Sequence, residues 1–265
     1  MKMLKTAMST FGCLCLLTSS QFAHAWGQTG HRVTGKIAEN YLSDQAKAAI
    51  EEILLNESLA EASTYPDEMR SNPDHFWQKV AGPYHYVTVP PGKTYAEVGA
   101  PEQGDSVSAL ESFTSTLRDP KASIEDKRLA LRFAIHIIGD LHQPLHAGNG
   151  KDRGGNDVKL EFFREESNLH RVWDSGLLDQ RDLSYTEWSD WLGSKITPEQ
   201  AEAWMTTDPL VYIAESVAIR DKIYPEEDSL SWQYLYDHID TATLRLQQGG
   251  VRIAAYLNEV FTQYK

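Results

Sequence analysis

The sequence predicts a mainly α-helical single domain with minor β content, and three observations predict it. Apolar residues recur at helical spacing through most of the chain. Strand-like runs are confined to residues 84–89 and 158–163. No fixed-period repeat, low-complexity tract or long linker divides the sequence.

Taken in order, residues 1–25 read as a secretory signal peptide. Lys2 and Lys5 make a basic start, the apolar stretch around residues 13–17 is too short to span a bilayer, and Ala23-His24-Ala25 is a small-x-small cleavage site. Cleavage between Ala25 and Trp26 is expected to leave residues 26–265 as one catalytic domain, secreted or periplasmic. Both cysteines, Cys13 and Cys15, fall in the leader, so neither a disulfide nor a thiolate ligand is expected beyond it. Nothing later is long and apolar enough to cross a membrane. Asn56-Glu-Ser58 is a glycosylation sequon that matters only in a eukaryotic secretory pathway.

Helical patterns follow over residues 29–41, 44–55, 106–117, 123–141, 167–178, 184–192, 198–205, 209–224 and 230–261. Ser123 with Asp126 three residues on resembles a capping box ahead of Ile124, Leu129, Leu131, Phe133, Ile135 and Ile138. Gly249-Gly250 interrupts the last stretch, giving two helices or one kinked helix, and close packing is the favoured reason for the pair. Gly154-Gly155 precedes the second strand.

The formal charge is −13, from 25 Lys and Arg against 38 Asp and Glu. That balance argues against tight charge-driven binding of duplex nucleic acid, which needs Lys and Arg to neutralise phosphates. A polyanionic substrate stays possible if cations sit in the cleft, because bound ions can be the largest local charges.

The chemistry concentrates in His136-Ile-Ile-Gly-Asp140-Leu-His142-Gln-Pro144-Leu-His146. His136 and Asp140 are four apart and share a helix face. Pro144 has no amide hydrogen and holds Gln143 extended, so the helix stops there and His146 arrives from the loop beyond. So many titratable groups in an apolar run cost too much to bury unless something pairs them, and a metal is the pairing that suits them. His170 and Asp174 repeat the His-x-x-x-carboxylate spacing, as ligands on facing helices do. Trp26 would become the new terminus, with an amine and carbonyl able to chelate, and His31 follows closely. Asp67, Arg70 and His85 complete the candidates. Alone, Asp67 would cap a helix, Arg70 would form a surface ion pair, and His85 would sit on a short strand.

Together these motifs resemble the S1/P1 family of secreted zinc-dependent nucleases. The resemblance covers essentially all of residues 26–265: Trp26 with His31, Asp67 with His85, the His136–His146 motif, Gly154-Gly155-Asn156-Asp157, and His170 with Asp174. It implies a helical fold of the phospholipase C/P1 nuclease type and three zinc ions. Asp67, His85, His136 and Asp140 would hold the first, and His146, His170 and Asp174 the second. Trp26, His31 and a bridging Asp140 would hold the third. It also implies hydrolysis of single-stranded DNA and RNA to 5′-phosphate products, action on 3′-nucleotides, and a monomer. Asp67 would orient the attacking water or act as base. Arg70 would stabilise phosphate charge, Asn156 would hold the phosphate end of the substrate, and Tyr86 would stack a base. His142 is expected to orient a ligand or carboxylate, and His75 and His238 to be surface or packing residues.

Two departures from fungal members stand out. Thr88 occupies a position where they tend to carry an acid, and their disulfides are absent. The rival readings are a zinc-dependent phospholipase C and an exported zinc-binding protein without turnover. The five-residue step from Trp26 to His31, and Asp174 as the last carboxylate, favour the nuclease.

Overall fold

The structure is a computed structural model that describes residues 26–262; the signal-peptide reading of residues 1–25 lies outside them. The fold is mainly helical, as predicted, and is organised around the helix Ile124–Leu141. Ser123 starts that helix: its hydroxyl accepts the Asp126 amide (3.1 Å) and donates to the Asp126 carboxylate (2.8 Å). Residues Phe133 through Leu141 are buried without interruption, so this helix carries its polar ligands through the interior. It ends where Pro144 dictates. Gln143 is extended (φ −84°, ψ 119°), and Pro144–His146 form a single 3-10 turn.

Two apolar clusters flank this helix. One gathers Leu131, Phe133, Ile137, Leu110, Ile53 and Phe261; the other gathers Trp26, Leu145, Leu169, Trp173, Leu177 and Leu246. The first helix, Gln28–Ala38, packs along the last, Trp232–Phe261. That last helix is continuous, so Gly249-Gly250 neither splits nor ends it. The pair serves close packing instead: a Cβ on Gly250 would lie 2.5 Å from Ile37 Cγ2. Tertiary packing outweighs the modest helix penalty of glycine, roughly 1 kcal/mol per residue.

The β content is small. β1 (Val87–Thr88) pairs in parallel with β2 (Ala147–Gly148), Val87 opposite Ala147. The buried Arg220 guanidinium ties this pair down by donating to the carbonyls of Val89 (2.8 Å) and Ala147 (2.5 Å). β3 (Lys159–Phe162) lies between an antiparallel β4 (Glu165–Asn168) and a parallel β5 (Ser229–Leu230).

Several expectations need correction. His85 is not on a strand, because Gly82–His85 form a 3-10 turn opened by Pro83, leaving only Val87–Thr88 extended. Residues 167 and 168, expected to open a helix, instead end the strand β4. Asn168 then caps Leu169–Arg171 by accepting the Arg171 amide (2.9 Å), and the chain runs on through a π-turn at Val172–Gly176 into Leu177–Asp179. Leu230 belongs to β5, and the helix expected to reach residue 224 stops at Arg220. The short helices Leu59–Ala62, Tyr65–Glu68 and Tyr95–Val98 are too brief to leave a periodic signature. Among the described residues no helix is long and apolar enough to cross a membrane.

Candidate metal centre and cleft

Five segments converge beside the C-terminal half of the central helix. His31 comes from the first helix, Asp67 from Tyr65–Glu68, and His85 from the turn before β1. His136 and Asp140 come from the central helix, His146 from the turn after it, and His170 and Asp174 from the segment after β4. All eight are buried. Gly139 makes the first of these approaches possible, since a Cβ there would lie 3.1 Å from His31 Nδ1 and push that ring away from Asp140.

Backbone carbonyls fix three of the rings. Nδ1 of His136 donates to Ser63 (2.7 Å), that of His146 to His85 (2.5 Å), and that of His170 to Gly154 (2.6 Å). A carbonyl only accepts, so each Nδ1 carries the proton and each Nε2 presents a lone pair to the centre. This second contact orients metal-ligating histidines generally.

The atoms then group three ways. His31, Asp67 and His136; His85, His136 and Asp140; and His146, His170 and Asp174 each offer ligand atoms within 4.8 Å of one another. Asp140 faces two ways, with Oδ1 3.2 Å from His31 Nε2 and Oδ2 3.3 Å from His85 Nδ1 and 3.1 Å from His136 Nε2. In the third group His170 Nε2 lies 3.2 Å from Asp174 Oδ2. Tetrahedral bonds of about 2.0–2.1 Å to nitrogen or oxygen put ligand atoms about 3.3 Å apart, so these spacings are those of a coordination shell.

Hydrogen bonding does not account for the packing. Both carboxylate oxygens of Asp67 and of Asp140, and Nε2 of His146, are buried without a hydrogen bond despite their near neighbours. Native proteins rarely leave such atoms orphaned, because each costs about 1–3 kcal/mol and more when charged. Burial pushes the Asp140 carboxyl up to about 7, against the pull of His136, and holds Asp174 well above its ordinary range despite the Gln143 amide. Burial likewise holds His85 and His146 well below theirs, with Arg70 and His170 respectively adding to it. His136 is raised instead, because Asp140 and Asp67 outweigh its burial. Divalent cations reverse the penalty on the acids and use the imidazoles in the neutral form that burial favours. The donor set, nitrogen and carboxylate oxygen without thiolate, suits zinc.

A cleft of about 730 Å³ opens at the ligands His85, His146 and His170, and its lining includes Arg70, Trp77, Tyr86, Lys151, Arg153 and Asn156. Arg70 Nε lies 3.1 Å from Asp67 Oδ1. Tyr86 is 46% exposed, and Asn156 Nδ2 donates to the Arg153 carbonyl (2.8 Å). Trp26 is buried in the second apolar cluster, and the next amide, of Gly27, donates to the Asp174 carbonyl (2.7 Å). The chain at Trp26 is thereby tied to a ligand-bearing segment.

Two side chains behave differently from the sequence reading. His142 faces away from the ligands. Its Nδ1 donates to Ile138 (2.7 Å) and its Nε2 accepts from Arg252 (3.0 Å), so it supports an arginine cluster rather than a ligand or metal-site carboxylate. The contact expected of it is made by Gln143, which sequence reading missed. Gln143 Nε2 donates to Asp174 Oδ1 (2.5 Å) while its Oε1 accepts the Leu145 amide (2.5 Å). A buried amide between two histidines and a proline was the available signal. His75 is exposed and His238 packs against Trp173 and Tyr234, as expected.

A helical scaffold that buries three His/Asp groups beneath a cationic cleft defines a metal-dependent hydrolase. The sequence matches the S1/P1 Nuclease family over residues 26–262, and the chain belongs to that family. It is 30% identical to Endonuclease 2 of Arabidopsis thaliana over 93% of this chain and 94% of the relative. To Nuclease S1 of Aspergillus oryzae it is 26% identical, covering 93% and 96%. To Nuclease P1 of Penicillium citrinum it is 28% identical, covering 89% and 97%. Among solved structures the fold resembles Alpha Toxin from Clostridium Absonum, with a TM-score of 0.52 and 15% identity over 89% of this chain. That match spans 63% of the toxin and supports the phospholipase C/P1 nuclease type of fold.

Proposed function

We propose that this S1/P1-type nuclease is a trinuclear zinc phosphodiesterase that cuts single-stranded DNA and RNA to 5′-phosphate products and removes phosphate from 3′-nucleotides. The observation that carries this is the set of buried carboxylate oxygens of Asp67 and Asp140 that no hydrogen bond satisfies, clustered with His85, which itself lines a cleft that arginine, tyrosine and asparagine also line.

In this reading Asp67, His85, His136 and Asp140 hold one zinc, and His146, His170 and Asp174 another. His31, Asp140 and the freed amine and carbonyl of Trp26 hold the third, which requires cleavage after Ala25 and hence export. Bound zinc supplies a hydrolytic nucleophile near neutral pH and neutralises charge on phosphate oxygens. The chain's own groups do the rest. Asp67, whose Oδ1 lies near Arg70, His85 and His136, orients the attacking water or accepts its proton. Arg70, held against Asp67 yet reaching the cleft, meets the charge that develops on the phosphate. Asn156 offers an amide to the phosphate end of the substrate. Tyr86 gives an unstacked base a face, which favours single strands over duplex.

The test measures metal per mature chain alongside hydrolysis of a single-stranded DNA, an RNA, a duplex and a 3′-mononucleotide, with and without chelator. Three zinc ions, chelator-sensitive turnover and 5′-phosphate ends are expected. Zinc binding without turnover would leave a sequestering protein, and release of headgroup from a phosphatidylcholine control would indicate a phospholipase.

A further inference from the structure

We infer that the loop between β2 and β3 carries a second phosphate subsite, with Lys151 as its cation, for a backbone phosphate other than the one being cut. The inference rests on the proposed nuclease reading and extends it to how a polymer is held.

The chain has 38 acidic side chains against 25 Lys and Arg, yet among the described residues no carboxylate lines the cleft wall. Its charged lining side chains apart from histidines are Arg70, Lys151 and Arg153. A local reversal of sign inside an acidic protein focuses its field on the opening. Arg70 lies beside the metal ligands, 3.1 Å from Asp67. Lys151 belongs to none of the ligand groups, and the cleft is large enough for more than the reacting phosphate. At about 730 Å³ it lies in the upper half of the range of roughly 300–1,000 Å³ that encloses a drug-sized ligand.

The loop is built to present Lys151. Asn149 Oδ1 accepts the Lys151 amide (2.7 Å), and Asn149 Nδ2 donates to Asp152 (2.9 Å) and Tyr224 (3.0 Å). Asp152, the acid between the two cations, is occupied elsewhere. Its Oδ2 accepts from Tyr224 (2.7 Å) and its Oδ1 from the Gly155 amide (2.9 Å). The anchor therefore directs the Asp152 carboxylate onto Tyr224 and the Gly155 amide rather than onto the Lys151 ammonium. Arg153 is partly spent on Asp157, Nη2 to Oδ1 2.6 Å, which leaves Lys151 as the main contact.

The experiment compares Lys151→Gln and Lys151→Arg with wild type on a single-stranded oligonucleotide and on a dinucleoside monophosphate, whose only phosphate is the scissile one. For Lys151→Gln, KM on the oligonucleotide should rise about three- to tenfold, and its log–log salt dependence should flatten by about 0.7, one single-strand phosphate contact. The ratio of kcat/KM on oligonucleotide to that on dinucleoside should fall accordingly, and Lys151→Arg should restore it. An unchanged ratio and salt slope would overturn the subsite while leaving the nuclease intact. An equal loss on both substrates would also overturn it, by placing Lys151 on the scissile phosphate or in folding. A wild type inactive on both would overturn the nuclease reading itself.

Discussion

Two buried charged clusters sit on opposite sides of the end of the central helix, and they meet the cost of burial in opposite ways. On one side Glu215 is shared by two buried arginines. Arg252 donates to it through Nη1 (2.6 Å) and Nη2 (2.8 Å), and Arg245 donates through Nη1. Arg245 also reaches Ser216 Oγ (2.9 Å) and the His142 carbonyl (3.1 Å). Every charge there has a protein partner. On the other side no hydrogen bond satisfies the carboxylate oxygens of Asp67 and Asp140, whose near neighbours are Arg70 and imidazole nitrogens at 3.1–3.3 Å. The first cluster is complete as folded; the second has the ligand spacing for cations to complete it. That difference separates a structural ion network from a metal centre when both are built from buried Asp, Glu, His and Arg.

The comparison can be broken hardest at Asp140. Asp140→Asn removes the carboxylate shared by two of the proposed zinc sites, so elemental analysis should find two of three zinc ions lost. Activity should fall at least about a thousandfold. A variant that kept three ions would mean that Asp140 does not bridge.

Next in size is a single residue retained before Trp26. It blocks the terminal amine, and should cost one zinc and about a hundredfold in activity through misplacement of the rest. Full activity with that extension would remove Trp26 from the ligand set.

Gln143→Ala frees the Asp174 carboxylate, and should weaken zinc by about 10–100-fold at the His146–His170–Asp174 group, read by chelator competition. Unchanged affinity would make Gln143 a packing residue.

Glu215→Gln sharpens the contrast from the other side. Leaving Arg245 and Arg252 without their acid should lower unfolding free energy by about 2–3 kcal/mol, toward the lower end for a buried pair because Glu215 is half-buried. Zinc content should be unchanged.

The smallest effect concerns pH. Burial, with Arg245 and Arg252, holds the His142 pKa well below its ordinary value. The folded protein keeps that ring neutral while the unfolded chain protonates it near about 6.5. Its contribution is therefore full above that pH and declines as pH falls below it, until the folded pKa is passed. His142→Gln keeps one donor and one acceptor, so the melting temperature of the chelated protein should fall less steeply below that pH than in wild type. An identical slope would place the acid sensitivity elsewhere, with His85 and His146 the next candidates.

Much of the metal centre was legible because metal chemistry restricts residue type and local geometry restricts spacing. His136 and Asp140 share a face on any helix, and Pro144 forces the break that delivers His146. What could not be read were contacts set by chain reversal. The sequence put His142 beside the ligands in number, whereas helix phase turns it to the far side and Gln143 inward. His85 fits a strand by alternation, yet Pro83 and the docking of Tyr86 beside Ser106 curl it into a turn.

By itself, then, the order of residues determined a helical chain, the ligand types, the end of the central helix and the resemblance to a nuclease family, all consequences of local stereochemistry and side-chain chemistry. Only the folded chain decided which groups meet. Gly139 admits His31 to Asp140, and Asp152 turns to Tyr224 and leaves Lys151 facing the cleft. The reason is physical: the pairing of a buried charge depends on what distant segments bring within about 3 Å, and no spacing along the chain encodes that distance.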